Sequence, residues 1–265
     1  MAAQRTVVQL EGRNPVLEAL RAGHPLRKIQ ISRTARRSGS LARIVAEARA
    51  RGVPVQFVDP RHLDAISQTG THQGVIAFAH AVPPVALEDL LDRACAEGRP
   101  FLVLLDGIQD PRNLGAILRT AEAAGAHGVV IPKRRSAGLT PTVAKASAGA
   151  VEHLPVAVVS NLPRAVEACR ERGIPVVGAH LQGDPYDRAD LRPPIALVIG
   201  GEGTGVSRIV RERCDRLVCI PMYGKVSSLN ASVAAGILLY EVVRNLREAR
   251  ALPQSSCERG KASVR

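Results

Sequence analysis

Three short stretches hold the residues whose types and spacing could do chemistry. The first is Asp110-Pro111-Arg112-Asn113-Leu114-Gly115, running on to Arg119; the second is Gly200-Gly201-Glu202-Gly203-Thr204-Gly205; the third is Val226-Ser227-Ser228-Leu229-Asn230-Ala231-Ser232. The third leads from small polar residues straight into a long apolar helix. Hydroxyls and an amide therefore meet backbone N–H groups that lack partners, at the positive end of the helix dipole, a place that suits a polar ligand. The glycines of the second stretch imply close backbone approach, and a carboxylate at Glu202 is not needed to make such a turn. A dinucleotide fingerprint needs Gly at positions one, three and six, and counting from Gly201 the sixth residue is Val206. Asn113 and Arg119 are about one and two-thirds helical turns apart, so helical geometry alone does not stack them, and Arg119 must leave the helix edge toward the strand ends. Plain structural readings stand beside these: Asn113, Ser228 and Asn230 as helix caps, Arg119 as a solvated helix face, the glycines as a tight turn.

The elements that must position these residues are legible as alternation. From residue 101 onward, apolar runs at Phe101–Leu105, Val129–Ile131, Leu154–Val158, Val176–Ala179, Ile195–Ile199 and Leu217–Ile220 read as strands. Helical stretches at Asn113–Ala124, Thr142–Ala148, Leu162–Glu171 and Val206–Arg213 separate most of them, and a last helix spans about Asn230–Arg247. Continuous apolar strands divided by helices mean a parallel sheet covered on both faces, whose ligands sit at the carboxyl ends of the strands. Each of the three stretches follows a strand, and that joint placement weighs against a merely structural role. Upstream, a smaller α/β unit fills about the first 80 residues. Its first helix opens at Asn14-Pro15, with Asn14 as N-cap, and a basic loop follows a strand at Ile29–Ile31. Val82-Pro83-Pro84-Val85 reads as an extended linker.

Composition narrows the function classes. The formal charge of +12 lies at the ends: residues 1–61 carry 12 Lys/Arg against 4 Asp/Glu, residues 244–265 carry 6 against 2, and the middle carries 18 against 18. A neutral body with basic extremities points to a polyanion partner. With three Tyr, three Phe and no Trp, base stacking on aromatic platforms is disfavoured. The five cysteines show no metal or disulfide spacing, so no metal is expected. No apolar run reaches the length of a membrane span and the start lacks an apolar signal core, which points to a soluble cytoplasmic protein.

The stretches DGIQDPRNLGAILRTAEAAGAHGVVIP and LVIGGEGTGVSRIVRERCDRLVCIPMYGKVSSLNASVAAGILLYE resemble the SpoU/TrmH family of RNA ribose 2′-O-methyltransferases over about residues 101–247, in family order and spacing. The arrangement is most similar to the 23S rRNA guanosine-2′-O-methyltransferase branch; tRNA is the alternative substrate. The resemblance implies an α/β fold with a trefoil-knotted, SPOUT-type parallel-sheet methyltransferase domain at 99–250. A small L30e-like RNA-binding domain would occupy 1–80, a linker and leading helix 81–98, and a basic tail 251–265. It also implies S-adenosyl-L-methionine bound in the knot and a homodimer with the site at the subunit interface. Carried over by motif, Asn113, Arg119, Glu202, Ser228 and Asn230 are the functional polar residues, and Gly200, Ile220 and Leu229 correspond to cofactor contacts, with Gly201 and Met222 beside them. Arg13, Arg33, Arg36 and Arg37, in the basic N-terminal unit, would meet RNA. Methyl transfer to a 2′-hydroxyl needs in-line placement and loss of a proton from a weakly acidic alcohol. Arginine keeps its proton in proteins, so Arg119 suits holding a phosphate and favouring alkoxide charge better than acting as a base. Ser228 and Asn230 would orient ribose or cofactor, and Glu202 would fix an arginine or the loop. A non-catalytic RNA-binding module is disfavoured by the intact motifs, and a nucleotide-dependent oxidoreductase by the glycine mismatch.

Overall fold

β-Branched and leucine-rich runs bounded by Gly, Pro and Asp pair into two sheets in the computed structural model, which describes residues 7–23, 26–35, 39–80, 83–203 and 205–251. The first sheet has four strands, β1 (Val7–Glu11), β2 (Leu26–Ser32), β3 (Val55–Val58) and β4 (Val75–His80), in the order β1-β4-β2-β3. β4 runs antiparallel to β1 and β2, and β3 runs parallel to β2. Helices α1 (Arg13–Arg21), α2 (Gly39–Ala50) and α3 (Pro60–Ile66) accompany it. The N-cap of α1 is Gly12, not Asn14: its φ of +102 makes the sharp entry that a side chain would resist, and Asn14 and Pro15 fall inside the first turn. The basic loop expected at Arg36 and Arg37 lies outside the described residues, as do residues 1–6 and the tail from 252.

The second sheet is the expected parallel one. Its six strands are β5 (Phe101–Asp106), β6 (Gly128–Pro132), β7 (Val156–Val159), β8 (Val176–Pro185), β9 (Ile195–Gly200) and β10 (Arg216–Cys219), in the order β10-β8-β9-β5-β6-β7, with every pairing parallel. One face buries Leu102, Leu104, Val130, Ala196 and Val198 under α4 (Leu87–Ala96) and α7 (Leu162–Glu171). The other buries Val103, Leu105, Val129, Leu197 and Ile199 under α5 (Pro111–Ala123) and α9 (Ala231–Ala251). Alternate residues of one strand thus feed two cores, which explains why these strands read as unbroken apolar runs. On α5 the inward set is Leu114, Ile117, Leu118 and Ala121; burying each large aliphatic side chain contributes about 1.5–3 kcal/mol before entropy is counted. The helix expected at Val206–Arg213 shrinks to the four residues of α8 (Arg208–Arg211), because Ser207 and the preceding glycines hold an extended turn. Val85 is no free linker: its N–H donates to the Val156 carbonyl at 3.0 Å, adding a bridge to the edge strand β7.

The two sheets share one contiguous core, in which Leu10, Val16 and Leu20 join Phe101, Leu114 and Val143. A polar strut crosses the same boundary. From α6 (Pro141–Ala146), Lys145 Nζ donates to the Thr69 hydroxyl at 2.8 Å and the Thr71 carbonyl at 2.7 Å, and also meets the Thr71 hydroxyl. Thr69 and its neighbours wrap the fully buried Glu11 carboxylate, which accepts from Ser67 Oγ at 2.8 Å, the Gln68 N–H at 2.5 Å and the Thr69 side chain. Burial alone would push the Glu11 carboxyl up, but these donors together hold it below its ordinary value.

Candidate active site

The chain leaves β5 outward to β6 and β7, then returns to β8 and β9 on the other side, so order reverses between β5 and β9. Carboxyl ends at such a switch form the ligand crevice of open α/β sheets. There Asp106 at the end of β5 lies in register with Gly200 at the end of β9. The Gly201 N–H donates to the Asp106 carbonyl at 2.8 Å, the Gly205 N–H to the Gly201 carbonyl at 3.0 Å, and the Ser207 N–H to Asp106 Oδ2 at 2.7 Å. Asp106 therefore staples both ends of the glycine-rich turn. A Cβ on Gly201 would lie 2.3 Å from the Gly107 oxygen, so only glycine permits this approach.

Three motifs converge on this turn. Asp110, rather than Asn113, caps α5: its Oδ1 accepts from the Arg112 N–H at 2.8 Å, with Pro111 opening the helix. Asn113, in the first turn, donates from Nδ2 to Glu202 Oε1 at 2.9 Å. Asn230 does two things at once. Its Oδ1 accepts from the Ser232 N–H at 2.9 Å and Oγ at 2.6 Å, capping α9. Its Nδ2 donates to Glu202 Oε1 at 2.6 Å and to Asn113 Oδ1 at 3.0 Å. A carboxylate and two carboxamides from stretches 28 to 117 residues apart thus close a ring of hydrogen bonds. The ring sits at the edge of water, with Glu202 exposed.

The remaining expected residues lie around it or apart from it. Ile220, Met222 and Leu229 are half-buried on the segment joining β10 to α9, whereas Tyr223 to Ser228 are exposed. Ser228 has no hydrogen-bond partner among the described residues. Arg119 does not join the ring. It is exposed on a different side of α5 and lines a groove with Asn14, Arg43 and His153, between the two sheets. Of the expected RNA contacts, Arg13 is half-buried with Nε donating to the Gln73 carbonyl at 3.2 Å, and Arg33 is exposed with Nε donating to the Phe57 carbonyl at 3.3 Å. Sequence reasoning missed Asp106 and Lys145; the one available signal was an acid closing an apolar strand directly before a glycine. Among the described residues no cluster of His, Cys, Asp and Glu could hold a metal ion, and no helix is long and apolar enough to cross a membrane.

Comparisons with known proteins give the family of the chain. Residues 100–240 match the model of the SpoU rRNA Methylase family, and residues 9–85 match the model described as RNA 2′-O ribose methyltransferase substrate binding. The chain is 48% identical over 235 residues to a putative TrmH family tRNA/rRNA methyltransferase of Bacillus subtilis, covering 88% of this chain and 94% of the relative. Among solved structures it is similar to the SpoU methyltransferase AviRb of Streptomyces viridochromogenes in complex with the cofactor AdoMet, with a TM-score of 0.74, 31% identity and coverage of 92% of this chain and 91% of that one. It is also similar to the AdoMet-bound rRNA methyltransferase of Sinorhizobium meliloti, with a TM-score of 0.75, 28% identity and coverage of 91% and 88%. With more than half its length inside the family model and a near-full-length relative at that identity, the chain belongs to the SpoU rRNA methylase family of RNA methyltransferases.

Proposed function

We propose that the protein transfers a methyl group from S-adenosyl-L-methionine to a ribose 2′-hydroxyl of structured RNA, a guanosine of 23S rRNA, in the cytoplasm. The observation that carries the reading is the ring of Asn113, Glu202 and Asn230, which ties three separated motifs to one crevice at the strand ends. The rRNA assignment rests on the likeness to the Sinorhizobium meliloti rRNA methyltransferase over 91% of this chain; tRNA is the alternative because the Bacillus subtilis relative is named for both tRNA and rRNA.

The residues present fit such a cofactor. Gly107, Gly203 and Gly205 take φ of +78, +81 and +61, and a Cβ on any of them would meet nothing within 4 Å, so backbone edges stand open to a ligand there. Half-buried Ile220, Met222 and Leu229 offer apolar surface to an adenine, with Gly200 and Gly201 at the turn itself. Bound there, the cofactor supplies an activated methyl group whose sulfonium charge disappears on transfer. The Asn113–Glu202–Asn230 ring holds the starts of α5 and α9 and the glycine turn in one arrangement, so that orientation is set before substrate arrives. Ser228, exposed beside the cap of α9, orients the ribose. Arg119 holds a phosphate of the substrate and favours negative charge developing on the 2′-oxygen.

Arg119 lies away from its own chain's ring, and a homodimer with the site at the interface resolves this separation. Val233 and Tyr240, seven residues apart on α9 and both about half exposed, present an apolar face that a second copy would cover. The knotted threading is part of the same proposal: after edge strand β10 the chain passes back over β8 to lay α9 beside α5 and β9. We assign RNA contacts to Arg13, Arg33, Arg36 and Arg37, in an L30e-like domain of residues 1–80, followed by a linker and leading helix at 81–98 and the methyltransferase domain at 99–250.

The test is a map of ribose methylation across total RNA from cells with and without the protein. Loss of one 2′-O-methyl mark in 23S rRNA is expected, whereas an unchanged map together with no calorimetric binding of S-adenosylmethionine overturns the reading.

A further inference from the structure

A groove of about 670 Å³ runs between the two sheets, apart from the hydrogen-bonded ring. Helices α1 and α2 supply one wall through Asn14, Glu18, Arg21 and Arg43; α5 supplies the other through Arg119 and Glu122; Ser147 and His153 belong to the lining between them. The groove closes tightly at one point, because a Cβ on Gly149 would lie 2.5 Å from the Glu18 Cβ. The sequence Ala148-Gly149-Ala150 thus brings the two sheets' helices together without a side chain in the way.

The charges are arranged unevenly. Glu18 is already engaged, with Oε1 at 2.8 Å from Arg21 Nη1 and Oε2 at 3.2 Å from His153 Nε2. Arg43 and Arg119 are both exposed, stand on opposite walls, and have no ion pair or hydrogen bond among the described residues. Glu122 is a lone acid against these two guanidinium groups, so the groove keeps a positive excess. A planar guanidinium fork matches a phosphate in two hydrogen bonds, and two of them across a groove suit a chain that carries one phosphate per nucleotide. The groove offers a base little to stack on: of the lining residues only His153 carries an aromatic ring, and that ring is engaged with Glu18.

We propose that this groove seats the RNA sugar–phosphate backbone flanking the methylated ribose, with Arg43 on α2 and Arg119 on α5 each taking a phosphate from opposite walls. The inference rests on the methyl-transfer reading and adds Arg43 to it. It makes the N-terminal unit a direct wall of the substrate path rather than a remote tether.

The test uses the full chain and an unmodified in vitro transcript of 23S rRNA, with affinity measured by fluorescence anisotropy over a series of salt concentrations. Arg43→Ala should weaken binding about tenfold at low salt and lower the slope of log affinity against log salt by about one. Arg43→Lys should restore the slope but only part of the affinity, since an ammonium lacks the fork. Arg49→Ala, on the same helix but outside the groove, should leave both unchanged. Retention of affinity and slope by Arg43→Ala overturns the proposal, and so does an equal effect from Arg49→Ala, which would mean diffuse charge alone. The binding measurement needs no turnover. A wild-type protein that methylates no RNA yet shows the Arg43 effect would therefore sink the methyl-transfer reading and leave the groove standing; one that binds no RNA sinks both.

Discussion

Replacing Gly115 by alanine tests whether the close packing of α5 on α6 sets the site. A Cβ there would lie 2.4 Å from the Ala146 Cβ and 2.9 Å from both the Ala146 carbonyl carbon and the Ser147 nitrogen. Two of these are backbone atoms and the third is a Cβ, so no rotamer change can make room, and the helices must separate. Overpacking of a tight core costs about 1–3 kcal/mol, and contacts this short belong at the upper end. Alanine returns about 1 kcal/mol of helix propensity, leaving a net loss of about 2 kcal/mol. For a chain of this size that lowers the melting temperature by about 4–8 °C. Gly236→Ala on α9 is the matched control: its Cβ would meet only Thr120 Cγ2, at an ordinary 3.9 Å. With no clash to offset the propensity gain, it should raise the melting temperature by about 2–4 °C. Both variants are read by differential scanning calorimetry at one heating rate, followed by titration with S-adenosylmethionine. Gly115→Ala should also weaken methyl transfer, because a displaced α5 carries Asn113 and Arg119 with it. A Gly115→Ala protein that melts at or above wild type refutes the packing argument.

Asn230→Ala removes a helix cap and two ring hydrogen bonds together. It should cost about 1–2 kcal/mol by denaturant titration and abolish turnover, whereas Asn230→Ser, which keeps a capping oxygen, should recover stability but not activity. Lys145→Met cuts the strut to Thr69 and Thr71. The expected result is a loss of about 1–3 kcal/mol and a raised KM for RNA, with the affinity for S-adenosylmethionine unchanged by calorimetry. Arg119→Ala should abolish methyl transfer while cofactor binding survives; measurable turnover would remove Arg119 from the mechanism. The folded-state pKa of Glu11 lies below the ordinary 4.5, so its hydrogen bonds contribute fully above that value and lose their contribution as pH falls through the folded pKa. The melting-temperature gap between wild type and Glu11→Gln should therefore be largest near neutral pH and close in acid, and a gap that widens in acid contradicts the assignment.

How much of this was legible beforehand depended on whether a residue's role is local. The parallel sheet was readable because a strand buried on both faces must be apolar at every position, and Phe101–Leu105 and Ile195–Ile199 are. Helix α7 was readable to the residue, since Asn161 caps it and Gly173 follows its end. The caps of α1 and α5 went astray for a common reason: several cap-competent residues stand side by side, as in Gly12-Arg13-Asn14-Pro15 and Asp110-Pro111-Arg112-Asn113. Only the φ of Gly12 and the bond from Asp110 to the Arg112 N–H decide between them. That decision carries functional weight. With Asp110 as the cap, both ends of the Asn113 carboxamide serve the ring, Nδ2 donating to Glu202 and Oδ1 accepting from Asn230. Contacts such as Lys145 to Thr69 and Arg43 across from Arg119 had no sequence signature at all, because each joins surfaces more than 70 residues apart whose meeting is set by the packing of Gly115 and Gly149. Local chemistry announces a motif, while the neighbours it works with are fixed by small residues elsewhere that let two backbones touch.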